Sequence, residues 1–368
     1  MLKKLKYILD IGSSCLRLYA VTHFNRKSSL IAEEKVLYDG YMDGEFLSVD
    51  TLKDNIAELL SKMSEKIRKP IKSLIVGVPS EFSMTICKRI SRKYLNLHKL
   101  TNDDIMDLYL SNIDGDSEEY EVINFSAMQF VLDDDYRTLE PVGKKTRNLI
   151  LDASYVLAKK EFLKLIQEKV QELDIANVEF ISTPLGQAMQ CKKSYDEVKP
   201  FAVVDVGHIT TSVAIFKGEG LALLSSFSMG GGHISADLMQ ILKVNFYDAE
   251  LIKRKVILTL EPEKKDYYEV CSKGNLVKAP IGITNQVVKS RIEVIAKVIK
   301  DILSIDSIYD DIKVYLTGDG ITNFKGVKSI LQEVTNLEIK EFKNEFDLTN
   351  EKFQTSKSGL VTLMDEVI

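Results

Sequence analysis

Apolar positions along this chain switch between two periods. "KYILDIGSSCLRLYAV" (6–21) and "FAVVDVGHITTSVAIF" (201–216) each run as a β-rich apolar strand into Asp-x-Gly, turn through short polar residues, and resume as a second strand. "KVYLTGDGITNFKGVKSILQEV" (313–334) predicts a strand, a Gly-rich turn and a helix beginning near Asn323. Between these cues, helical spacing covers "DTLKDNIAELLSKMSEKIR" (50–68), "KEFLKLIQEKVQELDI" (160–175), "SADLMQILKV" (235–244) and "NQVVKSRIEVIAKVIKDIL" (285–303). "SLIVGVP" (73–79), "RNLILDASYVLA" (147–158) and "VEFIS" (178–182) predict strands.

One hairpin type used twice, far apart, predicts two lobes with related cores. Residues 80–150 break the strand–helix rhythm. They hold a helix, "TNDDIMDLYLS", capped by Thr101 or Asn102, and strands such as "YEVINFSAMQFVL". That stretch predicts an inserted subdomain. The acidic runs "DDD" (133–135) and "DGDSEEYE" (114–121) predict solvated loops.

Composition narrows the class. A chain of 368 residues exceeds one ordinary domain, and 45% hydrophobic with 28% charged residues suits a soluble globular protein. A net charge of −5 argues against a nucleic-acid binder. Cys15, Cys87, Cys191 and Cys271 stand far apart, which predicts free thiols rather than a disulfide framework or zinc site. No apolar stretch approaches the roughly 18 residues of a membrane span, so a cytoplasmic location is expected.

The hairpins carry chemistry suited to a polyphosphate. Tight glycine turns bring backbone N–H groups close to an anion. Asp10 and Asp205, each at a strand end, are placed to hold hydrated Mg²⁺ from opposite sides. Ser13, Ser14, Thr210 and Thr211 offer hydroxyls, Arg17 offers a forked cation, and Gly318 and Gly320 let a nucleoside lie against the backbone. The predicted ligand is ATP with Mg²⁺.

The order "ILDIGSSCLRLYAV", "VVDVGHITTSVAIF", "SMGGGHISADL", "VYLTGDGITNFKGV" resembles the superfold shared by actin, heat-shock chaperones and sugar kinases. Within it the chain is most similar to the bacterial FtsA cell-division proteins. "YDGYMDGEFLSVDTLKDNI", "EPVGKKTRNLILDASYVLAKKEFLKLIQEKV", "STPLGQAMQ", "MGGGHISADLMQIL" and "SKSGLVTLM" carry that likeness. The resemblance implies an α/β, two-lobed actin-like (ribonuclease H-like, duplicated) fold with an inserted α+β subdomain in the first lobe. It divides the chain into a first lobe core at 1–79 and 166–195, and an insert at 80–165. The second lobe core lies at 196–232 and 306–347, an accessory subdomain at 233–305, and a C-terminal return at 348–368. Asp10, Gly12, Ser13, Ser14 and Arg17 fall on the first phosphate loop; Asp205, Gly207, His208, Thr210 and Thr211 fall on the second. Gly230, Gly231 and Gly232 follow it, Glu250 and Lys253 fall on the nucleoside side, and Gly318 and Gly320 on the adenosine turn. The implied role is a divisome adaptor. It binds ATP, forms actin-like filaments, and links the FtsZ tail, bound by 233–305, to the membrane at the division site.

Two departures stand out. The family's second loop usually reads D-x-G-G-G-T-T-D, whereas here it is Asp205-Val206-Gly207-His208-Ile209-Thr210-Thr211-Ser212. If the turn needs φ > 0, Ile209 obstructs it; His208 either donates to a phosphate or belongs to a repacked turn with a weak or absent grip. Thr183 stands where hydrolysing relatives carry a Glu or Gln that orients water, with Gln187 one turn on as an ordinary helix side chain, so at most a slow ATPase is expected. "GLVTLM" reads as core, so membrane contact is expected through a further C-terminal helix or a partner. The alternatives are a PilM-type peptide-binding protein of pilus assembly and a nucleotide-free scaffold.

Overall fold

The computed structural model describes residues 4–24, 27–113, 117–263, 265–305, 312–343 and 354–367. The chain opens with β1 (Lys4–Ile11), β2 (Cys15–Phe24), β3 (Lys27–Leu37), a short hairpin β4 (Tyr41–Met42) and β5 (Glu45–Phe46), helix α1 (Val49–Ile67) and β6 (Ser73–Val78). Next come β7 (Ser83–Lys99), α2 (Asn102–Leu110), β8 (Tyr120–Val131), β9 (Arg137–Thr138) and β10 (Lys145–Lys159). α3 (Lys160–Gln171), β11 (Asn177–Ser182) and α4 (Thr183–Tyr195) follow. The second half runs β12 (Phe201–Val206), β13 (Thr211–Lys217), β14 (Gly220–Phe227), α5 (Gly231–Leu242), α6 (Phe246–Lys253), β15 (Tyr267–Ser272), β16 (Asn275–Pro280) and α7 (Ile281–Leu303). It ends with β17 (Lys313–Thr317), α8 (Val327–Thr335), β18 (Ile339–Glu341) and α9 (Ser356–Val367).

Two five-stranded sheets repeat one topology: β3-β2-β1-β6-β11 and β14-β13-β12-β17-β18. In each, three antiparallel strands precede two parallel additions. The register is also repeated. Asp10 pairs with Arg17 on one side and Gly77 on the other, and Asp205 with Ser212 and Thr317. The chain therefore has the two-lobed actin-like architecture. The insert is a four-stranded sheet, β7-β10-β8-β9, with α2 across its own small core of Leu108, Phe130, Leu149 and Leu151. Thr101 caps α2, its hydroxyl accepting from Asp104 N while the Asp104 carboxylate accepts from Thr101 N at 2.8 Å.

Strand parity decides which way each side chain faces. On β1, Leu9 and Ile11 join the outer core of the first lobe with α1 and α3, whereas Ile8 joins a core between the lobes. On β12, Val204 and Val206 face the outer core with α5, α6 and α7, whereas Phe201 and Val203 face the interlobe core. Asp10 has the parity of Ile8, and Asp205 that of Val203. Both carboxylates thus emerge on the interlobe face at the carboxyl ends of their strands, where ligands of open α/β sheets bind.

α4 and α9 fill the space between the sheets. Leu360, Leu363 and Met364 are buried there, so "GLVTLM" is a core element. The helices cross at glycine: a Cβ on Gly359 would lie 2.5 Å from Gln187 N, and one on Gly186 2.5 Å from Gly359 O. Lys357, 1% exposed, is held on β3 by an ion pair with Glu33 and lies over the Tyr19 ring.

Three helix starts differ from the expected ones. α8 begins at Val327 because residues 318–326 form an irregular loop that ends on Gly326 at φ +99°. α5 begins at Gly231, where the His233 ring accepts from Gly230 N at 3.1 Å. α7 runs from Ile281, directly after β16. Asp133 is tied to the insert rather than free in solvent, accepting from Arg147 N and Asn148 N at 2.7 and 2.9 Å. Part of "DGDSEEYE" (114–116) and the expected boundaries at 306 and 347–348 lie outside the described residues.

Gly359→Ala is expected to destabilise the protein by about 1–3 kcal/mol, the usual range for overpacking, because its methyl meets backbone. Chemical denaturation measures this; an unchanged midpoint would contradict the tight crossing.

Candidate functional site

Three loops converge on a cavity of about 1300 Å³ between the lobes. The first two are built alike: Gly12 N donates to Cys15 O at 3.0 Å, and Gly207 N to Thr210 O at 2.9 Å. The third stacks on the second, with Gly320 N donating to Val206 O at 2.8 Å. That approach requires glycine. Gly318 has φ +86°, and a Cβ there would lie 2.2 Å from Asp205 Oδ1.

Asp10 and Asp205 both line this cavity, joined by Asp319, which sequence reasoning missed. Asp10 is 3% exposed and its Oδ2 accepts from Ser356 Oγ at 2.6 Å, and from Gln354 Nε2 and Tyr19 OH at 3.3 Å. Asp205 Oδ2 accepts from Gln187 Nε2 at 2.6 Å. Burial pushes the Asp205 carboxyl up to about 6; Gln187 opposes that, the negative charges of Asp319 and Asp10 add to it, and Arg17 partly offsets them. The same Gln187 amide reaches Thr355 Oγ1 at 3.0 Å, and Thr355 bonds Thr317 at 3.0 Å. One polar floor, carried by α4 and the start of α9, therefore connects the two lobes' carboxylates. Gln187 is a structural partner of Asp205, not an ordinary helix side chain. Its contacts are long-range in sequence and leave no local signal.

Of the residues predicted from sequence, Gly12, Ser13, Ser14 and Arg17 line the cavity from the first loop, and Gly207, His208 and Thr210 from the second. Glu250 and Lys253 line it from α6, and Gly318 and Gly320 from the third loop. Thr211 does not: it is fully buried and its hydroxyl donates to Met229 O at 2.5 Å. Gly230, Gly231 and Gly232 also sit behind the wall. Gly231 N donates to Gly207 O at 2.9 Å and Gly232 N to His208 O at 2.6 Å, so these glycines back the second loop. A Cβ on any of them would approach neighbouring atoms to 2.5–2.8 Å. In this structure these three glycines pack against the second and third loops.

The altered second loop is a rebuilt turn. Neither His208 nor Ile209 has positive φ, so the anticipated β-branched clash does not arise. Ile209 N donates across the lobes to Ser13 Oγ at 3.1 Å. The His208 ring packs against Gly232 and edge-on to Phe246 at 6.3 Å. Burial, then the Lys253 charge, lowers its pKa, with Glu250 opposing. Lys253 spans Glu250 at 2.6 Å and Gly231 O at 2.9 Å. Burial lowers the Lys253 pKa, with Glu250 opposing.

A further residue outside the expected set reaches the second loop. Glu81 Oε2 accepts from Thr210 Oγ1, while Oε1 accepts from Gly44 N at 2.9 Å and Ser228 Oγ at 3.2 Å. Its neighbour Phe82 is fixed among Tyr41, Phe46 and Phe162, with centroids 4.5–5.3 Å away.

The family model for cell division protein FtsA matches residues 202–358. The cell division protein FtsA of Streptococcus pneumoniae is 21% identical over 351 residues, covering 94% of this chain and 77% of that one. That of Bacillus subtilis is 18% identical over 343 residues, covering 89% and 76%. Among solved structures, a PilM–PilN type IV pilus biogenesis complex matches with a TM-score of 0.66 at 14% identity, covering 99% of this chain and 98% of that one. MreB5 of Spiroplasma citri bound to ADP matches with 0.57 at 11%, covering 97% and 94%. These structural likenesses establish the fold.

The Asp205 shift has a measurable consequence. Its folded pKa lies above the unfolded value near 3.9, so the associated stability is full below that value and lost as pH rises through about 6. Relative to wild type, Asp205→Asn is expected to gain about 1–2 kcal/mol between pH 4 and pH 7, a figure reduced for partial solvent access. Denaturation across that range measures the difference; a pH-independent gap would contradict the burial of this carboxylate.

Proposed function

We propose that this chain, a divergent FtsA-like homologue of actin, is an adaptor of the cell-division machinery whose interlobe cleft holds a nucleotide with Mg²⁺ as a structural ligand. The observation that carries this reading is the equivalent placement of Asp10 and Asp205 on two duplicated sheets, both turned toward one cavity. The residues fit such a ligand. Carboxylates suit a hydrated cation, Arg17 suits phosphate, and the cavity exceeds the several hundred Å³ of ordinary small-molecule sites. The buried Thr183 Oγ1 at its edge has no hydrogen-bond partner among the described residues. When bound, the nucleotide supplies a polyanion and its cation, which neutralise charge between the lobes.

The chain's own groups favour holding over turnover. Thr183 carries no carboxylate or carboxamide, and the Gln187 amide is engaged by Asp205 and Thr355 in a site only 2% exposed. At most slow ATP hydrolysis follows. A nucleotide that binds one lobe arrangement better shifts self-assembly merely by binding. Actin-like self-association, contact with the FtsZ tail through residues 233–305, and action on the cytoplasmic face of the membrane at the division site complete the proposal. Among the described residues no helix is long and apolar enough to cross a membrane.

Sedimentation and thermal shift with and without Mg²⁺-nucleotide test this. The adaptor reading predicts a raised melting temperature and nucleotide-dependent pelleting. Stabilisation without pelleting would favour a monomeric peptide clasp, and no shift at millimolar nucleotide would favour a nucleotide-free scaffold.

A further inference from the structure

Behind the cavity lining at Ser80 and Thr210, beside the second loop, stands a negative charge that the nucleotide reading leaves unused. Glu81 sits where the insert leaves the first lobe, and its carboxylate is fixed by donors from three separate segments. These are Thr210 on the β12–β13 turn, Ser228 after β14, and the Gly44 amide of the β4–β5 hairpin. Thr210 lines the cavity, whereas the neighbouring Thr211 hydroxyl is buried and donates to Met229 O. Glu81 takes that donor. The Ile209 amide and the Ser13 hydroxyl of the facing loop are bonded to each other across the lobes. The Thr210 hydroxyl and the Ile209 amide, two donors that a long phosphate chain would draw on, are thus engaged within the protein, and a fixed carboxylate lies behind the first. Its field reaches the wall: Glu81 is among the charges that add to burial in raising the Tyr38 and Tyr41 phenol pKa values, and both tyrosines line the cavity.

We infer that Glu81 is a specificity-determining residue of the cleft: it disfavours a terminal phosphate beside Thr210, so the cleft takes a nucleoside diphosphate in preference to the triphosphate. This rests on the nucleotide reading of the same cleft and adds which phosphate length it selects. The physical cause is like-charge repulsion in a partly desolvated setting, together with withdrawal of hydrogen-bond donors. Glutamine at the same position keeps one acceptor oxygen for the Gly44 amide and turns its NH2 as a donor toward the Thr210 oxygen, without the charge.

Calorimetric titration of the full chain with Mg²⁺-ADP and Mg²⁺-ATP tests it. Wild type is expected to bind ADP at least about tenfold more tightly than ATP, a difference of about 1.4 kcal/mol. In Glu81→Gln that ratio is expected to fall to within about threefold through a gain in ATP affinity. A ratio unchanged by the substitution, or a wild type that prefers ATP, overturns the role of Glu81 while leaving the nucleotide site in place. Absence of binding by either nucleotide to either protein overturns the nucleotide reading and this inference with it. The wild type alone provides a second measurement, independent of how the variant folds: raising ionic strength screens the repulsion and narrows the preference for ADP, whereas a preference that salt leaves unmoved or widens overturns the proposal.

Discussion

The crossing of α4 and α9 without side chains between them is the constraint on which the cleft depends. Gly186 and Gly359 let two helix backbones meet, and that contact places polar groups where the sheets would otherwise face each other across apolar core. Gln187 follows Gly186 and reaches Asp205; Ser356 precedes Gly359 by less than a turn and reaches Asp10. Thr355 joins the two halves by accepting from Gln187 and bonding Thr317. The floor of the cleft is therefore a hydrogen-bonded link between lobes. Its rigidity comes from a steric match, since a buried polar network is stable only when its members are satisfied.

Charge in the cleft follows from that geometry. Asp10, Asp205 and Asp319 share one partly desolvated space with Arg17, and their mutual repulsion is relieved by hydrogen bonds or by holding Asp205 closer to its neutral form. A divalent cation would relieve it further. The ion pair of Lys357 with Glu33 anchors α9 from its other side, and a buried lysine so paired holds the helix only while its partner remains. Glu81 extends the pattern behind the cavity lining, where one carboxylate fastens the insert, the β4–β5 hairpin and the second loop together.

Much of this was legible in the sequence because it is local. Two Asp-x-Gly hairpins announced a duplicated sheet and put Asp10 and Asp205 at strand ends, while their continuous apolar runs left the face on which the carboxylates emerge to the fold. The amphipathic spacing of α1 and α3 was equally readable, and Thr101 was one of the two caps considered for α2. What escaped notice is held by contacts distant in the chain. Glu81 meets Thr210 across 129 positions, and Ser356 meets Asp10 across 346. Motif position alone put Gly230, Gly231, Gly232 and Thr211 among the expected binding residues, whereas packing places them one layer behind the cavity lining. The sequence left the His208-Ile209 turn open between a phosphate donor and a repacked turn; neither residue has positive φ, so the condition for a clash at Ile209 is not met.

The central claim is that Asp10 and Asp205 serve one site. A double-mutant cycle on Mg²⁺-dependent nucleotide binding, using Asp10→Asn, Asp205→Asn and both together, tests it most directly. A shared site predicts that each single substitution weakens Mg²⁺-dependent binding and that the double loses far less than the sum of the two. Strictly additive losses, or single substitutions without effect, would contradict it.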